Sequence, residues 1–286
     1  MADNAIRSRF VMAGGVRTHY SEAGGDGPAV VLLHGGGAGS SGEAGFGSVM
    51  PILGEKLQVY AVDSVGGYGE TDPEAPTTYG VQSRLKHLED FIDALCLDDI
   101  CLAGNSQGAW VAARYAILHP DKVRKLCLVA SSTIASAMGM EVPQTEGMTV
   151  LGSYDGTREA MVRLLQALIM DQSKITDDLV DRRQAAASRP GAPESRARFQ
   201  IGNRFYTTDP GMRQNYDMRH TLPELPVPSM FIWGENDAFA PPEVGHELDK
   251  MLPNIPFQWI ADANHQAQND QPEVVGKIMT DFFMPA

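Results

Sequence analysis

Three residues whose types and order suit acyl-transfer chemistry are Ser106, Asp237 and His265. Ser106 is the centre of Gly104-Asn105-Ser106-Gln107-Gly108, preceded by the apolar run Ile100 to Ala103 and followed by a helical-looking stretch from Ala109 to Leu118. A neutral serine hydroxyl is a poor nucleophile, so an adjacent imidazole must take its proton and a carboxylate must orient that imidazole. Each of the three lies just past the carboxyl end of a predicted strand, the edge at which open α/β sheets bind ligands. A strand, a tight turn with small residues on both sides, then a helix is the context of a G-x-S-x-G elbow. The pentapeptide also reads as a plain glycine turn with a helix-capping serine.

Other acids and imidazoles compete for these roles. Glu235, Asp262 and Asp270 are close in sequence, but Asp237 alone is followed by the turn Ala238-Phe239-Ala240-Pro241. His246 falls inside a predicted helix, His87, His119 and His220 read as solvated or structural, and His34 as a structural residue of its turn. The loop His34-Gly35-Gly36-Gly37-Ala38-Gly39-Ser40-Ser41-Gly42 admits two readings. Gly37, Gly39 and Gly42 form a G-x-G-x-x-G with Asp63 at the end of the next strand, as a dinucleotide would need. Alternatively the loop supplies backbone N–H groups to an oxyanion. The strand before it is not the first in the chain, and the small residues from Gly42 to Gly47 do not lead straight into an apolar helix, which favours the oxyanion loop.

The elements that must position these residues alternate strand and helix. A hairpin over Arg9–Met12 and Val16–Ser21, turned by Gly14-Gly15, precedes the buried strands Val30–Leu33 and Val59–Val62. A helix from about Gly80 to Leu95 carries Leu85, Leu88, Phe91, Ile92 and Leu95 at helical spacing. Another strand spans Lys125–Ala130. From about Ser132 to Leu222 the alternation stops: Met161, Leu164, Leu165, Leu168 and Ile169 line one helix, and a second runs from Thr176 to Ala187. The alternation resumes with strands at Pro228–Trp233 and Phe257–Ile260 and helices at Pro242–Met251 and Pro272–Phe283. The implied architecture is a parallel sheet flanked by helices. Its core spans residues 1–133 and 222–286, with a helical cap over 134–221.

A length of 286 residues and an apolar share of 43% provide for a large core. A net charge of -13, with no basic block, argues against nucleic-acid or membrane-surface partners. The chain shows neither a leader-like opening nor an apolar run of membrane-spanning length. Cys96, Cys101 and Cys127 lie in apolar segments without zinc or redox spacing, as buried thiols in a reducing cytoplasm would.

From about Phe10 to Phe283 the chain resembles an α/β-hydrolase. It is most similar to the meta-cleavage product hydrolases, which split carbon–carbon bonds in ring-opened aromatics. The matching residues are His34-Gly35-Gly36-Gly37, Gly104-Asn105-Ser106, the triad spacing, and Met170-Asp171-Gln172-Ser173-Lys174-Ile175-Thr176. The resemblance implies an oxyanion hole from the backbone N–H groups of Gly36 and Gln107. It also implies substrate contacts from Gly37, Asn105, Arg183 and Gln266, a small-molecule substrate, no metal or organic cofactor, and a homo-oligomer. An arginine suits a carboxylate because its fork binds both oxygens. For Arg183 a solvated helix face is the other reading, since Asp181 and Arg182 adjoin it. The chain departs from the family where methionine and glycine are replaced by Gln107 and Ala109, tryptophan by Gln266, and an asparagine in the Ala44-Gly45-Phe46 region.

The function expected is hydrolysis of a carbon–carbon bond in a vinylogous 1,5-diketone through an acyl-serine. The alternatives are an esterase or lactonase with the same triad, a cofactor-free dioxygenase on this fold, and a hydrolase-like binding protein. Two amides in place of apolar side chains point to a substrate more polar than a biphenyl-type dienoate.

Overall fold

The computed structural model describes residues 5–285. Strands β1 (Arg7–Ala13) and β2 (Val16–Ala23) form the expected antiparallel hairpin, with Gly14 and Gly15 both at positive φ. Then come β3 (Ala29–Leu33), β4 (Gln58–Val62), β5 (Ile100–Asn105), β6 (Val123–Val129), β7 (Ser229–Gly234) and β8 (Phe257–Ile260). They form one sheet in the order β1-β2-β4-β3-β5-β6-β7-β8. From β4 through β8 every pairing is parallel, while β2 joins β4 antiparallel. β3 and the first four residues of β5 are continuously apolar and almost wholly buried, as a strand covered on both faces requires.

The flanking helices of the first half are α1 (Gly42–Phe46), α2 (Met50–Leu53), α3 (Val81–Ala94) and α4 (Gln107–Leu118). Gly42–Phe46, a run of small residues not expected to open an apolar helix, is helical. Ser41 caps it, its Oγ accepting from Ala44 N–H at 3.0 Å, and that cap compensates for the glycines. Cys101 and Cys127 are buried, but Cys96 is exposed, because the chain turns away from the core after α3 with Cys96 at φ 51°.

Between β6 and β7 lie α5 (Ser132–Ala137), α6 (Glu146–Gly152), α7 (Arg158–Leu168), α8 (Asp177–Ser188), α9 (Ala192–Thr208) and α10 (Pro210–Tyr216). Then follow α11 (Pro242–Met251), α12 (Ala267–Asp270) and α13 (Pro272–Phe283). Two apolar clusters divide the packing. The main one surrounds the sheet and takes in Phe199 and Tyr206 of α9 and Tyr216 of α10, where Trp110 Nε1 donates to Tyr216 O at 3.1 Å. The second joins Met161, Leu164, Leu165 and Leu168 of α7 to Val180 and Ala187 of α8. Ala38 of the glycine loop and Phe239 after β7 belong to it too, so α7 and α8 are packed onto the loops that carry the candidate site. Burying each of those leucines is worth about 2 kcal/mol.

Candidate active site

Between β5 and α4 the turn forces Ser106 to φ 57° and ψ -120°, a conformation that a residue with a Cβ holds only when its surroundings enforce it. Ser106 N–H lies within hydrogen-bonding distance of the carbonyls of Val129 (2.9 Å) and Ala130 (3.1 Å), and its own carbonyl accepts from Ser131 Oγ at 2.7 Å. The flanking glycines are steric necessities. A Cβ on Gly104 would sit 2.2 Å from Gly108 O, and one on Gly108 would sit 2.1 Å from Leu33 O.

The loops after β7 and β8 bring Asp237 and His265 together. His265 Nδ1 lies 2.8 Å from Asp237 Oδ2 and 3.1 Å from Oδ1, with both side chains buried. A carboxylate only accepts, so Nδ1 carries the hydrogen of that bond and Nε2 is left outside it. Asp237 Oδ1 also accepts from the N–H groups of Phe239 (2.7 Å) and Ala240 (2.8 Å), which is the structural use of the turn after it. The Phe239 ring stacks on the imidazole at 5.0 Å. Among the described residues no hydrogen bond joins Ser106 Oγ to His265. Their segments are tied instead by Asn105, whose Nδ2 donates to His265 O at 3.0 Å and Val129 O at 3.3 Å. Asn105 therefore has its NH2 committed to the scaffold, leaving its side-chain oxygen for any other partner.

The glycine loop lies directly over the elbow: a Cβ on Gly35 would be 3.1 Å from Ser106 Cβ, and one on Gly36 would be 2.8 Å from Gln107 Oε1. Gly37, at φ 119°, faces Leu151 of α6. His34 is structural, as its position suggested. Burial, aided by the Arg84 charge, pushes its pKa down to about 3, so the ring is neutral. Its Nε2 accepts from Ser64 N–H at 3.0 Å, which leaves Nδ1–H to donate to Gly35 O at 2.6 Å. The Asp63 carboxylate, which the dinucleotide reading needed free, instead accepts from Gly42 N–H, Glu70 N–H and His19 Nδ1 at 2.7–2.8 Å.

Arg183 is not on a solvated face: it is 2% exposed, whereas Arg182 beside it is paired at the surface with Glu43 and Asp178. Its Nη2 makes only long contacts, 3.4 Å each, with Ala38 O and Ser40 Oγ, and its Nε has no partner. Burial pushes its pKa down to about 10, so it remains a cation. It lines a cavity of about 890 Å³ between α8 and α1, a cavity that does not include Ser106. Gln266 is buried, its side-chain oxygen accepting from Asn269 Nδ2 at 3.0 Å, and Gln107 Oε1 accepts from Arg84. Both amides thus have their oxygens taken by the protein and only NH2 groups left over.

Several contributors were not legible beforehand. Asn264 braces the His265 loop, and Asp270, weighed only as a rival acid, accepts from Asn264 N–H and Met170 N–H at 2.8 Å each. Burial raises the Asp270 pKa despite those bonds. A second hydrogen-bonded array, Ser8–His19–Asp63, has Oγ···Nε2 at 2.9 Å and Nδ1···Oδ2 at 2.7 Å. Its serine sits in strand β1 and not at a strand-to-helix turn, so it staples the hairpin. Among the described residues no helix is long and apolar enough to cross a membrane, and no cluster of three His, Cys, Asp or Glu side chains is placed to hold a metal ion.

Comparison with known proteins adds a further line. The family model for the alpha/beta hydrolase fold matches residues 28–272. The chain is 33% identical to the 2-hydroxy-6-oxo-6-(2'-aminophenyl)hexa-2,4-dienoic acid hydrolase of Metapseudomonas resinovorans, over 95% of this chain and 89% of that one. It is 30% identical to the 2-hydroxy-6-oxo-2,4-heptadienoate hydrolase of Pseudomonas putida, over 98% and 97%. Among solved structures, a serine hydrolase involved in carbazole degradation (the CarC enzyme) has a TM-score of 0.77 at 29% identity, covering 97% of this chain and 98% of its own. The meta-cleavage product hydrolase CumD of Pseudomonas fluorescens has a TM-score of 0.79 at 26% identity, covering 96% and 97%. The chain therefore belongs to the alpha/beta hydrolase fold family and, within it, to the meta-cleavage product hydrolases.

Proposed function

We propose that this enzyme hydrolyses a carbon–carbon bond in a 2-hydroxy-6-oxo-dienoate through an acyl-serine. Ser106 is the nucleophile, His265 the proton carrier and Asp237 its orienting carboxylate. The observation that carries the choice of substrate is Arg183, which lies against Ala38 and Ser40 of the glycine loop as a buried cation with an unpartnered Nε and, among the described residues, no carboxylate within ion-pair distance. A buried guanidinium without a counter-charge is costly, and a substrate carboxylate removes that cost on binding. An ordinary ester gives it nothing.

In this reading His265 helps convert the dienol to its keto form by moving a proton from the 2-hydroxyl to the carbon chain. Ser106 Oγ then adds to the 6-ketone as its proton passes to Nε2. The backbone N–H groups of Gly36 and Gln107 donate to the ketone oxygen and stabilise the negative charge that develops on it. Collapse breaks the bond between C5 and C6. The electron pair goes to the vinylogous keto acid, which is protonated and leaves, and water then frees the acyl group as a carboxylic acid. Asn105, Gly37 and Gln266 line the substrate's path in this scheme. In this reading the described residues up to 133 and from 222 onward form the catalytic core and 134–221 the cap, with the buried thiols Cys101 and Cys127 suiting a cytoplasmic setting.

The test is a panel of ring-opened dienoates, simple esters and lactones, with products identified by mass. Loss of the dienoate absorbance with one acid and one hydroxydienoate formed per turnover supports the reading. Esters or lactones turned over while dienoates persist would refute it.

A further inference from the structure

Arg84 of α3 is 1% exposed, and no carboxylate among the described residues lies within ion-pair distance of it. Its fork reaches three segments. Nη2 donates to the carbonyl of His34 at 2.5 Å and to Ser64 Oγ at 3.0 Å, while Nη1 donates to Gln107 Oε1 at 3.3 Å. The Tyr68 ring lies 5.3 Å from its Cζ, and Nε has no partner. A fold that buries an uncompensated guanidinium keeps a cost that a neutral side chain would not impose.

Two of these segments carry the proposed oxyanion donors. His34 O belongs to the loop two residues before Gly36, and Gln107 supplies the other N–H. Arg84 can only donate, so Gln107 must turn its carbonyl oxygen toward it. That lays the carboxamide across Gly36, where a Cβ would meet Oε1 at 2.8 Å. One rigid group therefore sets the spacing of both donors and leaves a fixed positive charge behind them.

We propose that Arg84 is the positioning residue of the oxyanion hole, acting through His34 and Gln107 and strengthening the field where negative charge develops. This rests on the Ser106 chemistry given above. Substrate oxygen becomes an anion only after Ser106 adds, so the benefit falls on the transition state and appears in kcat, with KM little changed.

The experiment compares wild type, Arg84→Lys and Arg84→Met for dienoate turnover and for the rate of covalent capture by a fluorophosphonate, with Ser106→Ala as the control. Expected is a loss of about 10- to 100-fold in both rates for Arg84→Met, below the loss of a whole oxyanion donor. Arg84→Lys, which keeps charge without the fork, should fall between it and wild type, with KM within about threefold throughout. An Arg84→Met variant within about threefold of wild type in both rates, or lysine and methionine variants equally slow, overturns the proposal. If the arginine variants do not fold, Gln107→Met unties one arm while keeping the backbone N–H and the buried cation. Capture slowed by about three- to tenfold supports the tether, and unchanged capture overturns it. Failure of the underlying reading shows separately, as phosphonate capture or turnover that survives in Ser106→Ala.

Discussion

The side-chain oxygen of Asn264 accepts from His265 N–H at 2.8 Å and from Ala238 N–H at 2.9 Å, fastening the loop of the imidazole to the loop of its carboxylate. Its Nδ2 donates to Ala167 O at 2.9 Å, at the end of α7. One residue thus connects Asp237, His265 and the helix packed over them. Asn264→Ala should cost about 1–3 kcal/mol of stability by leaving buried groups unpaired. It should also lower kcat about tenfold as the imidazole loses its fixed direction. Thermal unfolding and steady-state kinetics read both effects, and a destabilised variant with unchanged kcat would assign Asn264 a purely structural role.

Arg183 is expected to show its effect in KM. Replacing it with methionine removes a charge-assisted bond to the substrate carboxylate, worth about 2–3 kcal/mol, so KM should rise roughly 30- to 150-fold. Removing an uncompensated buried cation should leave the unfolding temperature the same or higher. An unchanged KM for a carboxylate substrate would take Arg183 out of the site.

The His19–Asp63 pair makes stability depend on pH. Burial opposes the charge on His19, but the hydrogen bond and charge of Asp63 outweigh it and raise its pKa above 6.5. Burial likewise opposes the Asp63 charge, and His19 outweighs it, holding the carboxyl below its usual value of 3.8. The stabilisation from His19 is therefore full below the free-histidine value and fades as pH rises through the raised folded value. The difference in Tm between wild type and His19→Gln should narrow between about pH 6 and pH 9. A difference constant over that range would contradict the charged pair.

Gln266→Trp should shift kcat/KM toward a phenyl-substituted dienoate, since an indole offers apolar area where the amide offers a donor. Gln266 is buried, so the larger ring should also cost about 1–3 kcal/mol in stability. Kinetics on phenyl- and polar-substituted dienoates measure the shift. If wild type already prefers the phenyl compound, Gln266 is not a determinant of polarity.

What the sequence made legible is what depends on local pattern. Continuous apolar runs marked β3, β5 and β7, and the helical periodicity of Leu164, Leu165 and Leu168 marked α7. Gly104 and Gly108 marked the elbow because their lack of a Cβ has a local steric cause. Arg84 belongs to no motif, and only the approach of His34 and Gln107 from other elements makes it a buried hub. Asn264, Asp270 and the His19–Asp63 pair join residues far apart in the chain, which no spacing reveals. Cys96 lies among apolar residues yet faces solvent, since the direction of the turn after α3 decides it.

The central claim is that Ser106 performs covalent chemistry on a carboxylate-bearing dienoate. Its most direct test is turnover of a 2-hydroxy-6-oxo-dienoate by wild type and Ser106→Ala, with binding of the same compound measured by its absorbance. The account predicts that the alanine variant binds the dienoate but loses roughly a million-fold in kcat, as when members of one catalytic unit are removed. A variant that keeps a tenth or more of the wild-type rate would contradict it.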